Sequence, residues 1–283
     1  MHFNTNLKSN SNIEENFTSL DVQYDQQRKL AWYTMNANPR PCFTAKLIHE
    51  IRAWFEEIIT EKTPAVDYII MKSSTPGVFN LGGDLNMFIE LIRTKNRETL
   101  MQYALDSIDP LYLIHTGLGK DITTISLVQG DALGAGFEVA LSSDVLIAEK
   151  SAKMGLPEVL FNMFPGMGAY SFLSRKTSMS LADKMILSGK LYSAKELYEM
   201  GVIDILVEDG EGEKAVYDYI RKEQRANNTY KAIRKAKRYC NPVTFEELKQ
   251  ITSIWVDANM QLGAKELRMM ERLIARQSKI SIR

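Results

Sequence analysis

Strict alternation opens the ordered part of the chain. Leu20, Val22 and Tyr24 face one way, Asp25-Gln26-Gln27-Arg28 turns, and a second alternating run follows from Leu30 to Met35. That period of two predicts a β-hairpin. Two prolines between Asn36 and Pro41 exclude regular helix there. Over residues 45–60 the spacing changes to Leu47, Ile48, Ile51, Phe55, Ile58 and Ile59, one apolar face of a helix, with His49 on its polar side. A short strand (Val66 to Lys72), a glycine turn (Gly82-Gly83) and a helix beyond Asp84 follow, with Asp84 a plausible N-cap. The same order returns from Ile122, with a β-branched and apolar run, Gly134-Ala135-Gly136 and a short helix carrying Glu138. A third version ends near Gly166-Met167-Gly168. No strict sequence repeat accompanies this repeated architecture.

Further on, Ser180 to Asp183 and Ser193 to Glu196 have the spacing of capping boxes, and their helices are expected to stop near Gly189 and Gly201. Val202 to Val207 reads as the last strand. Beyond Asp209-Gly210 helix formers and basic residues take over, with six Lys or Arg in the fourteen positions 225–238. Asn241-Pro242 breaks that segment. A long amphipathic helix through Ile251, Ile254, Trp255, Leu262, Leu267, Met270, Leu273 and Ile274 is expected to close the chain. The organisation predicted is a loose N-terminal segment (1–17), an α/β core (18–210) and a helical extension (211–283) that serves assembly and pocket closure.

Composition narrows the functional classes. With 283 residues the chain can bury about three quarters of its unfolded surface. Lys plus Arg equals Asp plus Glu at 35 each, so no global field points to nucleic acid or an anionic membrane. No run approaches the roughly 18 apolar residues of a membrane span, and the start lacks a basic and then apolar leader. Two distant cysteines, Cys42 and Cys240, fit a reducing cytoplasm, the expected location, and stand outside any metal-ligand spacing. Neither a G-x-S-x-G nor an H-E-x-x-H motif occurs, so serine-hydrolase and zinc chemistry have no local signature. Val139 stands where a dinucleotide-binding turn would need glycine or alanine.

What remains is carboxylate chemistry. Glu138 in F-E-V-A-L and Glu158 in L-P-E-V-L lie twenty positions apart, each in an apolar setting that disfavours its charged form and suits proton transfer near neutral pH. The bland alternative for each is a helix cap or a lysine partner. The glycine turns at 82–83 and 134–136 allow backbone N–H groups to approach an oxygen closely, as an oxyanion hole requires, or are structural turns only.

Three ordered segments, F-N-L-G-G-D-L, L-V-Q-G-D-A-L-G-A-G-F-E and L-P-E-V-L-F-N-M-F-P-G-M-G, resemble the enoyl-CoA hydratase/isomerase (crotonase) superfamily across roughly residues 20–210. The runs A-L-S-S-D-V-L-I-A-E-K and M-G-L-P-E-V-L-F-N-M-F-P-G-M-G-A-Y-S-F-L-S-R-K further resemble the bacterial diffusible signal factor synthases. The resemblance implies an α/β fold, the ClpP/crotonase-like spiral of ββα units with a C-terminal helical extension. It implies Glu138 and Glu158 as catalytic acid and base, and the N–H groups of Gly83 and Ala135 as the oxyanion hole. An acyl pocket is expected from Leu133, Met163, Phe164, Met167, Trp255 and Leu273, residues that plain core packing explains equally well. The implied enzyme is a 3-hydroxyacyl-acyl carrier protein dehydratase and thioesterase that releases a cis-2-unsaturated fatty-acid quorum-sensing signal. It needs no cofactor beyond the thioester carrier and no metal. Acyl carrier protein, a sensor of the signal pathway and further copies in a trimer or hexamer are the implied partners. The alternatives are an enoyl-CoA hydratase/isomerase of fatty-acid metabolism and a non-catalytic regulatory binding protein of the same fold.

Overall fold

The structure, a computed structural model, describes residues 17–280. All but the last position of the expected loose N-terminal segment therefore lies outside the described residues. The chain builds four consecutive ββα units. The first is β1 (Leu20–Asp25), β2 (Leu30–Met35) and α1 (Ala45–Ile59); the second is β3 (Tyr68–Ser73), β4 (Val78–Asn80) and α2 (Leu85–Arg93), extended by α3 (Arg97–Thr116). The third is β5 (Thr123–Val128), β6 (Asp131–Leu133) and α4 (Ala135–Ser142). In the fourth, β7 (Val145–Glu149) and β8 (Lys153–Gly155) lead through a 3-10 turn (Pro157–Phe161) to α5 (Ala169–Lys176). Then come α6 (Met179–Ser188), β9 (Leu191–Ser193), α7 (Ala194–Glu199) and β10 (Ile205–Val207). The C-terminal helices are α8 (Gly212–Arg225), α9 (Asn227–Cys240), α10 (Phe245–Asn259) and α11 (Ala264–Ile280).

The first unit gives both its strands to one sheet; the later units spiral, so that their first strands extend that sheet and their second strands build another. The larger sheet has the order β1-β2-β3-β5-β7-β10 and is parallel beyond the opening hairpin; the smaller is β4-β6-β8-β9. Side-chain alternation sorts the larger sheet into two apolar faces. Leu30, Trp32, Tyr68, Ile70, Ile125 and Leu127 meet Val216 and Ile220 of α8 on the outside. Ala31, Tyr33, Ile69 and Met71 point into the main core, where α1, α3 and the second sheet close over them. Both faces are covered, which is why these strands read as near-continuous apolar runs rather than clean alternations.

Helix boundaries follow the capping chemistry with two corrections. Thr44, Asp84 and Ser193 cap α1, α2 and α7, the last as a full capping box with Glu196. For α6 the cap is Ser178, whose side chain accepts from the Leu181 N–H, and not Ser180, which lies inside the helix. The long C-terminal helix is two, α10 and α11, separated at residues 260–263. Gly263 there donates its N–H to Glu266, which starts α11 afresh. The terminal helices do not form a separate body. Leu248, Trp255, Val256, Leu267 and Met270 belong to the main core cluster, with α10 against α3 and α11 against α2. Among the described residues no helix is long and apolar enough to cross a membrane.

Candidate active site

Parallel pairing of β4 with β6 brings the two glycine turns to the same sheet end. Asn80 closes β4 and its Oδ1 accepts the Gly82 N–H at 2.8 Å, while the Gly82 carbonyl accepts the Phe43 N–H at 2.8 Å. A Cβ on Gly82 would stand 3.0 Å from the Leu133 carbonyl oxygen and 3.5 Å from the Ala135 nitrogen, so these backbones touch. Gly82 (φ +99) and Gly134 (φ +53) both occupy the left-handed half of backbone space that L side chains avoid. Ala135 opens α4, where an N–H has no helical carbonyl to bond. Its φ is not among the positive ones, so alanine is tolerated there. Gly83 lies between a bridge to Phe43 and the Asp84 cap of α2. Arg40, itself buried, holds Asp84 through a 2.9 Å ion pair.

Both glutamates lie close to Gly134 in this region: the Glu138 N–H donates to the Gly134 carbonyl at 3.0 Å, and the Glu158 carboxyl abuts Gly134. Glu138, one turn into α4, is 2% exposed, and its Oε1 accepts the N–H groups of Met167 and Ala169, each at 2.9 Å. It thus caps the start of α5, which is the bland role anticipated for it, while its burial pushes the carboxyl up to about 7 against those two bonds. Glu158 sits in the 3-10 turn that Pro157 initiates. The residue is half-buried overall, yet its Oε2 is buried without a hydrogen bond to any described residue. Its Oε1 fills the space where Gly134 would carry a Cβ, 2.4 Å from that position. Burial, and then the nearby charge of Glu138, hold the Glu158 carboxyl up at about 8. Burial thus favours the protonated form of both carboxyls well above the ordinary carboxylate range. The two carboxyls are close enough to act on one another electrostatically.

Asp144 and Asp131 play no part in this pair. Asp144 accepts the Thr124 N–H at the start of β5 and pairs with Arg238; Asp131 is the first residue of β6, and burial raises its pKa. His115 packs beside Phe172, and burial lowers its pKa to about 4.

An apolar cavity of about 450 Å³, counted out to where it meets solvent, lies behind Ala135. Of the six residues expected to line an acyl pocket, only Met167 borders it. Met163 is buried beyond the 3-10 turn, and Leu133, Phe164 and Leu273 are half-buried. Trp255 packs against the Gly166 backbone and edge-on to Phe88 at 5.3 Å. The cavity walls come instead from β2, α1 and α3, among them Tyr33, Ile48, Ile51, Tyr103 and Leu111, together with Val139 of α4. The helical period marked the α1 positions as core, but nothing local to α1 or α3 says that a cavity lies between them. The basic stretch 225–238 forms α9, with no buried residue. Three of its cations make ion pairs: Arg234 with the buried Glu223, Arg238 with Asp144, and Lys235 with Asp121 at the surface.

Comparison with known proteins agrees with this architecture. Residues 25–274 match the enoyl-CoA hydratase/isomerase family. The human mitochondrial methylglutaconyl-CoA hydratase is 34% identical over 149 residues, covering 53% of this chain and 42% of that protein. The chain spans about half or less of the length of the curated relatives it matches first. Among solved structures, a putative enoyl-CoA hydratase from Streptomyces avermitilis superimposes with a TM-score of 0.73 at 18% identity, over 92% of this chain and 91% of that one. DspI of Pseudomonas aeruginosa does so with a TM-score of 0.65 at 22% identity, over 95% and 98%. At such identities these two likenesses speak to the fold, which is the crotonase fold.

Proposed function

Because the chain belongs to the enoyl-CoA hydratase/isomerase family, we propose that it moves water across the α,β-carbons of an acyl thioester, with Glu138 and Glu158 as the acid–base pair. The observation that carries this reading is the pair itself: two buried carboxylates, both raised toward neutrality, beside a turn that only glycine fits. The thioester carbonyl would lie between the N–H groups of Gly83 and Ala135, which stabilise the enolate oxygen as it gains charge. In dehydration, Glu158 as carboxylate takes the α-proton, and Glu138 as acid protonates the departing 3-hydroxyl, which leaves as water. In net, Glu138 loses a proton and Glu158 gains one, and hydration runs the same steps in reverse. Burial holds both carboxyls above the ordinary carboxylate range, so either can carry the proton near neutral pH and one site serves both directions.

The finer proposal is that the substrate is a 3-hydroxyacyl chain on acyl carrier protein, that the product double bond is cis, and that the same oxyanion hole then supports thioester hydrolysis to a free fatty-acid signal. The resemblance of A-L-S-S-D-V-L-I-A and M-G-L-P-E-V-L-F-N-M-F-P-G-M-G to the diffusible signal factor synthases supports it. With that reading go a carrier-protein partner, a sensor partner and a trimeric or hexameric assembly. A second reading, an enoyl-CoA hydratase, is favoured by the names of the curated relatives. A non-catalytic binding role leaves the cost of burying both carboxylates without a purpose. Mass spectrometry of purified protein with 3-hydroxydodecanoyl-acyl carrier protein separates these. A free 2-enoic acid, absent from both Glu138→Gln and Glu158→Gln, supports the signal-synthase reading. Turnover of the coenzyme A ester alone, with no free acid, supports the hydratase, and no turnover of either refutes the catalytic proposal.

A further inference from the structure

We infer, on the reading of Glu138 as one half of the acid–base pair, that Thr252 of α10 is a positioning residue for it, acting through the single amide that joins Gly166 to Met167. The Thr252 hydroxyl belongs to a fully buried residue and donates to the Gly166 carbonyl at 3.0 Å. That carbonyl and the Met167 N–H are opposite ends of one planar peptide group. The Met167 N–H in turn donates to Glu138 Oε1 at 2.9 Å. A hydrogen bond accepted at the carbonyl end polarises the amide and makes its N–H a stronger donor. The hydroxyl therefore fixes the plane of this amide and also strengthens the bond that holds the Glu138 carboxylate.

The direction of that hydroxyl sets it apart. Ser107, Thr116 and Ser174, also within helices, donate to the carbonyl four residues back on their own helix, the common habit of such side chains. Thr252 reaches out of its helix to a distant loop instead. One turn further along α10, the Trp255 ring stands 2.2 Å from where a Gly166 Cβ would be, so it lies directly on this backbone and leaves it little room to shift. The second N–H on Glu138 is seated from α10 as well. It belongs to Ala169, the first residue of α5. Glu247 of α10 ties α5 down, accepting from Ser171 at 2.6 Å and from Arg175 at 2.8 Å. Core packing accounts for Trp255, but not for a buried hydroxyl aimed at a carbonyl whose own amide holds Glu138.

Packed around α4 are α3, α5, β4, β5 and β6. Strands β4 and β5 carry no titratable side chain. On α5, Arg175 and Lys176 pair with Glu247 and Asp204; on β6, Asp131 has Lys153 as its charged neighbour. On α3, Tyr103 is bound to the Phe43 carbonyl, and His115 meets α4 at Ser142, the far end from Ala135. The charge coupled to Glu138 is that of Glu158, whose carboxyl it helps to hold up.

The test is carbon-13 NMR of the purified protein labelled at the glutamate carboxyl carbons, with the Glu138 signal assigned by its absence from Glu138→Gln. Thr252→Val keeps the shape of the side chain and removes the donor. The Glu138 titration midpoint should then rise by about half a pH unit, because the carboxylate loses part of its stabilisation. Thr252→Ser keeps the hydroxyl and should return the midpoint to the wild-type value. Thr252→Ala should raise it as valine does, and serves if the valine variant does not fold. With a 3-hydroxyacyl thioester, kcat should fall about tenfold in Thr252→Val while KM stays within about twofold of wild type, and kcat should recover in Thr252→Ser. A midpoint unchanged in both Thr252→Val and Thr252→Ala overturns the proposal, as does a serine variant that behaves like valine. A role in packing alone would lower the melting temperature and leave the midpoint where it is. The two readings fail separately. A raised midpoint beside a fully active Glu138→Gln removes the catalytic role of Glu138 and leaves its link to Thr252. An inactive Glu138→Gln beside a Thr252→Val with wild-type midpoint and kcat removes only the link.

Discussion

Gly134→Ala is the substitution with the largest consequence for its size. The residue has φ +53 and ψ −124, a region that costs an L side chain on the order of 1–3 kcal/mol. Its new methyl would also stand 2.4 Å from Glu158 Oε1, and ordinary contact is about 3.5 Å. The carboxyl must then retreat by roughly 1 Å, a displacement that costs on the order of a hundredfold in rate when it falls on a reacting group. Gly210→Ala is the matched control, with φ +84 but nothing within 4 Å of the added Cβ, so it bears the backbone cost alone. Thermal melting should fall by about 5–10 °C in Gly134→Ala and by roughly 3 °C in Gly210→Ala, taking about 2–4 °C per kcal/mol for a chain near this size. Initial-rate assays with a 3-hydroxyacyl thioester should fall at least a hundredfold in the first and stay within threefold in the second. Equal rates and equal melting points in the two variants would refute the claim that Glu158 is seated against Gly134.

Two further substitutions address the same machinery. A carboxyl raised from its ordinary 4.5 to about 8 keeps its proton in the folded state, so the stability it allows is greatest at low pH and is lost as pH rises from about 4.5 through 8. Glu158→Gln should therefore flatten the fall in unfolding free energy between pH 5 and 7 by about 1.4 kcal/mol per pH unit, measured by denaturant titration; an unchanged slope would show that the carboxyl titrates normally. Ala135→Pro deletes the N–H at the first position of α4, where the proline ring suits the helix. It should lower the rate about a hundredfold or more with a melting point within a few degrees of wild type, and an unimpaired rate would exclude that N–H from the oxyanion hole.

The parts of the fold visible in the sequence are those fixed within a dozen residues. The hairpin, the strand–glycine–helix units and the Asp84 cap are local matters of period and turn chemistry, and each stands where the pattern placed it. The two glutamates were legible because each sits in an apolar run beside a turn with few ways to fold. The Ser178 cap was missed because Ser180, with Asp183 three residues on, carries the acidic partner of a capping box that Ser178, followed by Leu181, lacks. The break between α10 and α11 was missed because the apolar stripe runs through it without proline, interrupted only at Gly263. The cavity was invisible for a deeper reason. Its walls meet from β2, α1, α3 and α4, over a hundred residues of chain, and each wall residue alone is indistinguishable from core. Likewise the charge run of α9 did not reveal that Arg234 reaches the buried Glu223 eleven residues earlier.

The central claim is that Glu138 and Glu158 act as one acid–base pair. Its most direct test is proton NMR of a 3-hydroxyacyl thioester in deuterium oxide, following α-proton exchange and enoyl product in wild type, Glu138→Gln and Glu158→Gln. The account predicts exchange and product in the wild type, and a loss of at least a hundredfold in each variant with the fold intact. Exchange at the wild-type rate in either variant would contradict it.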